Sequence, residues 1–326
     1  MYVRLRFIVA LLIFSPFAGL AQKDTLVKKL DSLSIRSDSL SNGKKNDINP
    51  TAYNDSTKIS FRNYFILLGN DFKQQVTLPF NTKHKDWIKL AEFGALAAGF
   101  AFADEPVNKF AVDLRTHNKA VSSISSYVTR FGGFYEVYTL VGMGVFGTVF
   151  KKEKMKTTTL LATQSYLTAG AIQFVFKFLT GRQRPGYIDP LTAENDPTFH
   201  GPFYQFKKTD GQKRDKSSYS SFPSGHTTAA FAAATVFALE YRDKPLIPIL
   251  SYTAASLIGL SRLTENKHWP TDILFGAGLG FLSGKQVVNN YHRFMKIKQP
   301  VKPGKVISFQ LQELQGRLLP GITYSL

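Results

Sequence analysis

From Trp87 onward the chain is a succession of apolar segments of helical length, most of them cut from the next by a few charged residues or a proline. That alternation constrains the fold more than any other feature. Apolar runs of about 16–20 residues are too long for strands and fit helices. Glycine and alanine recur throughout them, as in tightly packed helix bundles. Helices are expected near 87–103, 134–150, 157–179, 226–241, 246–261 and 271–288, with a shorter one around 107–129. The punctuation is Asp104-Glu105-Pro106, Lys151-Lys152-Glu153-Lys154 and Tyr241-Arg242-Asp243-Lys244-Pro245. Connections this short join mostly antiparallel neighbours. The expectation is an all-α protein, a bundle of six core helices read from those six spans.

The flanks read differently. Residues 1–21 have the form of a signal peptide: Arg4 and Arg6, the apolar run Phe7–Phe14, then Gly19-Leu20-Ala21 suited to cleavage before Gln22. Residues 22–59 are rich in Ser, Asp, Asn and Lys and are expected to be a disordered polar linker. Within 60–86, Tyr64–Leu68 with Phe72 and Val76 suggest a helix lying on a membrane or against the bundle. In the C-terminal arm, 291–326, Ile307, Phe309 and Leu311 alternate with polar residues, as do Ile322, Tyr324 and Leu326. With Pro320-Gly321 before the second run, this predicts a small two-stranded β-hairpin.

Composition narrows the classes of function. There is no cysteine, which excludes disulfides, thiolate–zinc sites and cysteine nucleophiles. The formal net charge is +18, from 41 basic and 23 acidic residues. Such a balance suits nucleic acid, an anionic membrane surface or an anionic substrate. No nucleic-acid-binding module is recognisable, and the basic residues often flank apolar segments, so membrane surface or phosphate is favoured. A membrane span needs roughly 20 mainly apolar residues. Several segments approach that length but carry Lys89, Glu92, Glu136, Gln164 or Gln173, so they also suit the core of a soluble bundle. A membrane-associated protein is the favoured reading.

Three short clusters carry the chemistry. They are Lys177–Pro185 with Arg184, Phe222-Pro223-Ser224-Gly225-His226-Thr227, and Ser261–Asp272 with Arg262 and His268. A phosphate dianion needs several positive donors at once. Arg184 and Arg262 each offer a planar fork of N–H groups, and Lys177 adds a compact charge. Ser224-Gly225-His226 opens an apolar segment expected to be a helix beginning near His226, and a helix N-terminus attracts anions. Gly225 lets the backbone approach closely, and the Ser224 hydroxyl can cap the helix or donate to a phosphate oxygen. A neutral imidazole can attack phosphorus, and a protonated one can serve the leaving alkoxide. His268 and Asp272 are four apart (272 − 268), roughly on one face of a helix starting near Pro270. Asp272 would then orient the His268 ring.

The clusters resemble the signature of the type 2 phosphatidic acid phosphatase and vanadium haloperoxidase superfamily: Lys-x6-Arg-Pro, then Pro-Ser-Gly-His, then Ser-Arg-x5-His-x3-Asp. Every motif position is met, at Lys177, Arg184, Pro185, Pro223, Ser224, Gly225, His226, Ser261, Arg262, His268 and Asp272. The resemblance covers residues 85–290 and makes 60–290 the expected helical phosphatase domain. It implies a helical bundle of the phosphatidic acid phosphatase/haloperoxidase type. It implies His268 as the nucleophile forming a phosphohistidine, His226 as acid and then base, and Asp272 as the orienter of His268. Lys177, Arg184, Ser224, Gly225 and Arg262 would hold the phosphate, with no metal and no cofactor.

The function expected on these grounds is a phosphatase acting on phosphate monoesters or diphosphates, most naturally of lipids, at the periplasmic side of a bacterial envelope. A soluble periplasmic acid phosphatase, a vanadate-dependent haloperoxidase and a non-enzymatic binder of phosphorylated lipid remain alternatives. The clusters grip the shared phosphate and leave open which ester carries it. Oligomeric state is likewise open. Residues 186–222 form a long connection that begins beside Arg184, ends beside Ser224 and suits a lid over the site. Arg182 lies outside the motif, as a substrate contact or a solvated side chain. His84, His117, His200 and His292 lack motif context and are expected at the surface.

Overall fold

The computed structural model describes residues 53, 57–81, 84–188, 198–207, 217–298, 306–314 and 317–325. The expected signal peptide and nearly all of the expected linker lie outside these described residues. From the linker range, Tyr53 is buried, and its hydroxyl donates to the buried Glu240 carboxylate.

Nine helices run through the described residues: α1 Phe61–Asn81, α2 His84–Ala101, α3 Asp104–His117, α4 Lys119–Val128, α5 Phe134–Val149, α6 Glu153–Thr180, α7 Gly225–Glu240, α8 Leu246–Thr264 and α9 Pro270–Lys298. The expected single helix over 107–129 is two. Asn118 takes an extended conformation, and its side-chain oxygen accepts the N–H groups of Ala120 at 3.0 Å and Val121 at 3.1 Å. This local competition with the helix ladder ends α3 and caps α4.

Among the described residues, those from Tyr53 to Tyr291 belong to one compact unit, and those from His292 belong to a second. The second contains the hairpin β1 Val306–Leu314 and β2 Arg317–Ser325, antiparallel, with Leu314 opposite Arg317. Pro320 and Gly321 lie inside β2, opposite Leu311 and Gln310, so they do not form the turn. In a two-stranded ribbon each strand is an edge, where a missing N–H is tolerated.

In the first unit, α7 packs most extensively between α6 and α8. Its buried face is almost all small: Ala229, Ala230, Ala232, Ala234 and Ala238. Such a surface lets neighbouring backbones come close. A third partner is α9, through Gly276, Gly280 and Gly284. A methyl on Gly280 would stand 2.8 Å from the Ala232 nitrogen and closer still to the Thr228 carbonyl oxygen, and one on Gly284 would stand 2.7 Å from Thr235 Cβ. As α9 advances by a turn, so does its contact on α7, so the two helices run parallel and start at the same end. At that end a methyl on Gly259 of α8 would lie 3.1 Å from Ile273, and one on Gly225 would lie 3.2 Å from the Gln173 amide of α6. The C-termini of α6 and α8 and the N-termini of α7 and α9 therefore converge.

Candidate active site

Each motif side chain sits at one of those four converging ends. Lys177 lies in the last turn of α6, which Gly181 stops in the left-handed conformation, φ 52°, donating its N–H to the Lys177 carbonyl. A Cβ at Gly181 would be 2.5 Å from the Gly201 carbonyl oxygen, so glycine is needed for conformation and for space. Beyond it the chain is extended at Arg184, whose N–H donates to the Ser218 carbonyl at 2.8 Å.

Ser224 is the N-cap of α7, but no side-chain bond caps the helix. Its hydroxyl oxygen accepts the Thr227 hydroxyl at 2.9 Å, and its carbonyl accepts the Thr228 hydroxyl at 2.8 Å. The Ser224 proton is thereby left for another acceptor. His226 follows one residue into the helix and is half-buried against the turn between α4 and α5. A methyl on Gly132 would lie 2.9 Å from its Cβ, and one on Gly133 would lie 3.4 Å from its Nε2. Arg262, in the last turn of α8, donates to Thr129 Oγ1 of that same turn at 2.5 Å and to Glu265 at 3.3 Å. Its Nε is buried without a partner among the described residues.

His268 and Asp272 are both buried. They do not share a helical face: α9 begins at Pro270, and His268 precedes it. They meet because Asp272 folds back on the helix start, where its Oδ2 accepts the Trp269 N–H at 2.9 Å and the Ser221 hydroxyl at 2.5 Å. His268 Nδ1 stands 3.5 Å from the same Oδ2. With its proton on Nδ1, the ring is left basic at Nε2.

One electrostatic field covers both imidazoles. Burial, then Arg262, Lys177 and Arg184, pull His226 down to about 3. Burial, with Arg184 and Lys177, pulls His268 down to about 3, although Asp272 opposes it. Burial pushes the Asp272 carboxyl up, but Arg182, His268 and Ser221 outweigh it and hold it at about 2. Burial and Arg184 bring Lys177 down to about 8, against Asp272. Neutral imidazoles, an ionised carboxylate and crowded cations together make a field that would attract an anion.

Residues outside the motif complete the arrangement. Arg182 is neither solvated nor aimed at a ligand. It is buried, donating to Asp272 Oδ1 at 2.6 Å, Thr271 Oγ1 at 2.6 Å and Asp104 Oδ2 at 2.5 Å. Asp104 also accepts the Thr271 N–H, at 2.9 Å. Glycines 132 and 133 were a visible signal for the turn behind His226; nothing local marked Asp104 or Ser221. The described parts of the expected lid are stitched down beside the site. Gln183, Gly201 and Phe203 donate backbone N–H groups to Thr198, Thr180 and Phe178 at 2.8, 3.0 and 2.7 Å. His200 stacks on Tyr204 there at 4.2 Å and is only part-buried.

Residues 158–296 match the sequence profile of the PAP2 superfamily. A lipid A 1-phosphatase of Porphyromonas gingivalis is 47% identical over 72 residues, 22% of this chain and 16% of that protein. A probable lipid phosphate phosphatase 4 of Arabidopsis thaliana is 30% identical, over 36% of this chain and 42% of its own length. The chain thus spans less than half the length of either relative. A crystal structure of a transmembrane PAP2-type phosphatidylglycerolphosphate phosphatase from Bacillus subtilis aligns with 68% of this chain and 100% of its own. Its identity is 20% and its TM-score 0.45. All three signature clusters lie inside the matched span, so it is in residues 158–296 that this chain is similar to the PAP2 superfamily.

Proposed function

We propose that this protein hydrolyses phosphate monoesters or diphosphates of lipids through a phosphohistidine. One observation carries the reading: two buried or half-buried imidazoles, 42 residues apart in sequence (268 − 226), lie in the field of the same Lys177 and Arg184. His268 Nε2 attacks phosphorus while the P–O bond to the leaving group breaks. His226 gives its proton to the departing alkoxide. Water then attacks the phosphohistidine, His226 takes a proton from it, the P–N bond breaks and phosphate is released. His226 is neutral in the empty field, but a phosphate dianion among Arg262, Lys177 and Arg184 offsets the charge that suppresses its protonation. The cations meanwhile stabilise charge on the phosphoryl oxygens, usually the largest catalytic contribution.

A lipid substrate fits the exposed faces of helices that lead to the site. On α5, Tyr138, Val141, Val145 and Val149 are exposed at helical spacing, and on α8 Leu246, Ile249, Leu250, Leu257 and Leu260 are likewise exposed. Exposed apolar stripes of this extent mark contact with other apolar matter. By length and composition Leu246–Thr264 is also apolar enough to cross a membrane. The matched relatives carry names of enzymes acting on phosphorylated lipids. We place the reaction at the periplasmic side of the membrane, on the strength of the signal-like residues 1–21.

The test is hydrolysis by the purified protein in detergent, across phosphatidic acid, phosphatidylglycerol phosphate, an isoprenyl diphosphate, lipid A and p-nitrophenyl phosphate. Lipid substrates should be cleaved in preference, and His268→Ala should release no phosphate. Turnover in His268→Ala near that of the parent chain would remove the mechanism.

A further inference from the structure

By sequence Arg182 has two candidate roles, substrate contact and solvated bystander, and the structure gives it neither. Its guanidinium lies in the interior, over the ring of Phe199 at 4.6 Å and that of Trp269 at 5.5 Å. One nitrogen meets Asp272 Oδ1 and Thr271 Oγ1, and the other meets Asp104 Oδ2. Asp104 is the first residue of α3 and is itself buried. It also takes the Thr271 hydroxyl at 2.6 Å and the Thr271 N–H at 2.9 Å, thereby pinning the first turn of α9.

The geometry points to Asp104 and Arg182 as positioning residues that fix the Asp272 carboxylate, and through it the His268 ring, without touching substrate. The carboxylate has two oxygens with separate duties. Arg182 occupies Oδ1, so the plane of the group is set, and Oδ2 is turned to Ser221, the Trp269 N–H and His268 Nδ1. Without the guanidinium, Oδ1 would lose its charged partner in a site closed to water, and the carboxylate could rotate away from the ring. Asp104 does for Arg182 what Arg182 does for Asp272. It neutralises the fork and fixes its direction, so a chain of three charges ends on the imidazole. This inference rests on the phosphatase reading only for its kinetic readout.

The charged and titratable groups around Asp272 are Arg182 from the connection after α6, His268 before α9, Lys177 from α6 and, through Arg182, Asp104 from α3. Arg184 acts on the same imidazole. Removing the positive Arg182 raises the proton affinity of the His268–Asp272 pair; removing the negative Asp104 lowers it.

The experiment compares Arg182→Gln, Arg182→Lys and Asp104→Asn with the parent chain on one substrate, by kcat, KM and the acid limb of kcat. Arg182→Gln should lower kcat about a hundredfold with KM little changed, the order that an ångström's misplacement of a reacting group costs. Its acid limb should move to higher pH, that of Asp104→Asn to lower pH, and Arg182→Lys should recover part of kcat. A raised KM with kcat kept would make Arg182 a substrate contact and overturn the assignment. So would losses in both variants with the acid limb unmoved, which describe a purely structural pair. Should Arg182→Gln fail to fold, the displacement in Asp104→Asn decides. Should the parent chain hydrolyse nothing, the phosphatase reading falls separately. The ¹⁵N NMR titration of His268 then tests the positioning alone, with a rise in Arg182→Gln expected and no change overturning it.

Discussion

The Ser224 N–H donates to the Asp272 carbonyl oxygen at 3.0 Å. This single backbone bond joins the start of α7 to the first turn of α9. The residue after next to Ser224 is His226, and Asp272 is the carboxylate beside His268. The two imidazoles are therefore held by main chain, along two parallel helices, before any side-chain contact is considered. A rigid support of this kind is what a two-histidine displacement needs, because the reacting groups lose little freedom when substrate arrives.

The glycine seam between those helices should control both stability and activity. Gly280→Ala would bring a methyl to within 2.8 Å of the Ala232 nitrogen and closer still to the Thr228 carbonyl oxygen, which are backbone atoms and cannot rotate aside. Overpacking of this kind costs about 1–3 kcal/mol. A thermal melt should show Gly280→Ala unfolding earlier than the parent, with kcat reduced as α7 and α9 part. Gly94→Ala is the control. That glycine is exposed on α2 with nothing within 4 Å of a new Cβ, so alanine should leave stability unchanged or raise it by about 0.5–1 kcal/mol. Equal melting shifts in the two variants would contradict the seam.

Asp272→Asn tests which tautomer His268 uses. Arg182 donates to the Oδ1 side, so the new carboxamide must turn its oxygen there and its NH2 toward Ser221, Trp269 N–H and His268 Nδ1. Two of those neighbours are donors, and a donor facing Nδ1 favours the tautomer with its proton on Nε2. The nitrogen proposed as nucleophile is then blocked. The expected loss in kcat is about 10⁴-fold, the size seen when an orienting carboxylate of a triad becomes an amide. Radiolabelled phosphoenzyme should fall in parallel, with KM little affected. Activity within tenfold of the parent would separate Asp272 from the tautomer.

His226 should matter in proportion to how badly the leaving group needs a proton. An alkoxide is a poor leaving group, whereas a nitrophenolate departs without help. In His226→Asn, kcat for an alkyl phosphate should fall by about 10²–10⁴-fold, the usual contribution of general acid–base transfer. The loss of p-nitrophenyl phosphatase activity should be much smaller in the phosphorylation step, measured by a burst of nitrophenolate. Identical losses on both substrates would assign His226 to phosphate binding instead.

The helices and the motif residues were legible because their signals are local. Apolar runs, glycine seams and three fixed spacings each lie within a few turns of chain, and the four helix ends that they mark are the ones that converge. The supports were not legible because their partners are distant in sequence. Arg182 reaches Asp272 across 90 residues and Asp104 across 78. Thr129 meets Arg262 across 133. Asn118, in contrast, is a local cap signal, but it lies in the polar stretch Asp113–Lys119 inside a span read as one helix. His268 and Asp272 illustrate a right pairing reached by a wrong geometry: spacing suggested a shared helical face, whereas the contact is a carboxylate folded over the helix start.

Lys177 should set the alkaline side of phosphate binding. Burial and the neighbouring Arg184 lower it to about 8, far below an ordinary lysine, and Asp272 limits the fall. A depressed ammonium keeps its charge below that value and loses it as pH rises through it. An anion bound beside it pushes the other way, so the free protein titrates first and affinity falls before the complex itself is discharged. The inhibition constant for inorganic phosphate should therefore be lowest below about pH 8 and should weaken above it, where Lys177 in the free protein is neutral. Lys177→Arg keeps a positive charge at any pH a protein survives. That variant should bind phosphate with an altered absolute affinity, because a planar fork replaces a point charge, but its alkaline weakening should disappear. A limb that persists unchanged in Lys177→Arg would assign the titration to another group and leave Lys177 as a fixed charge.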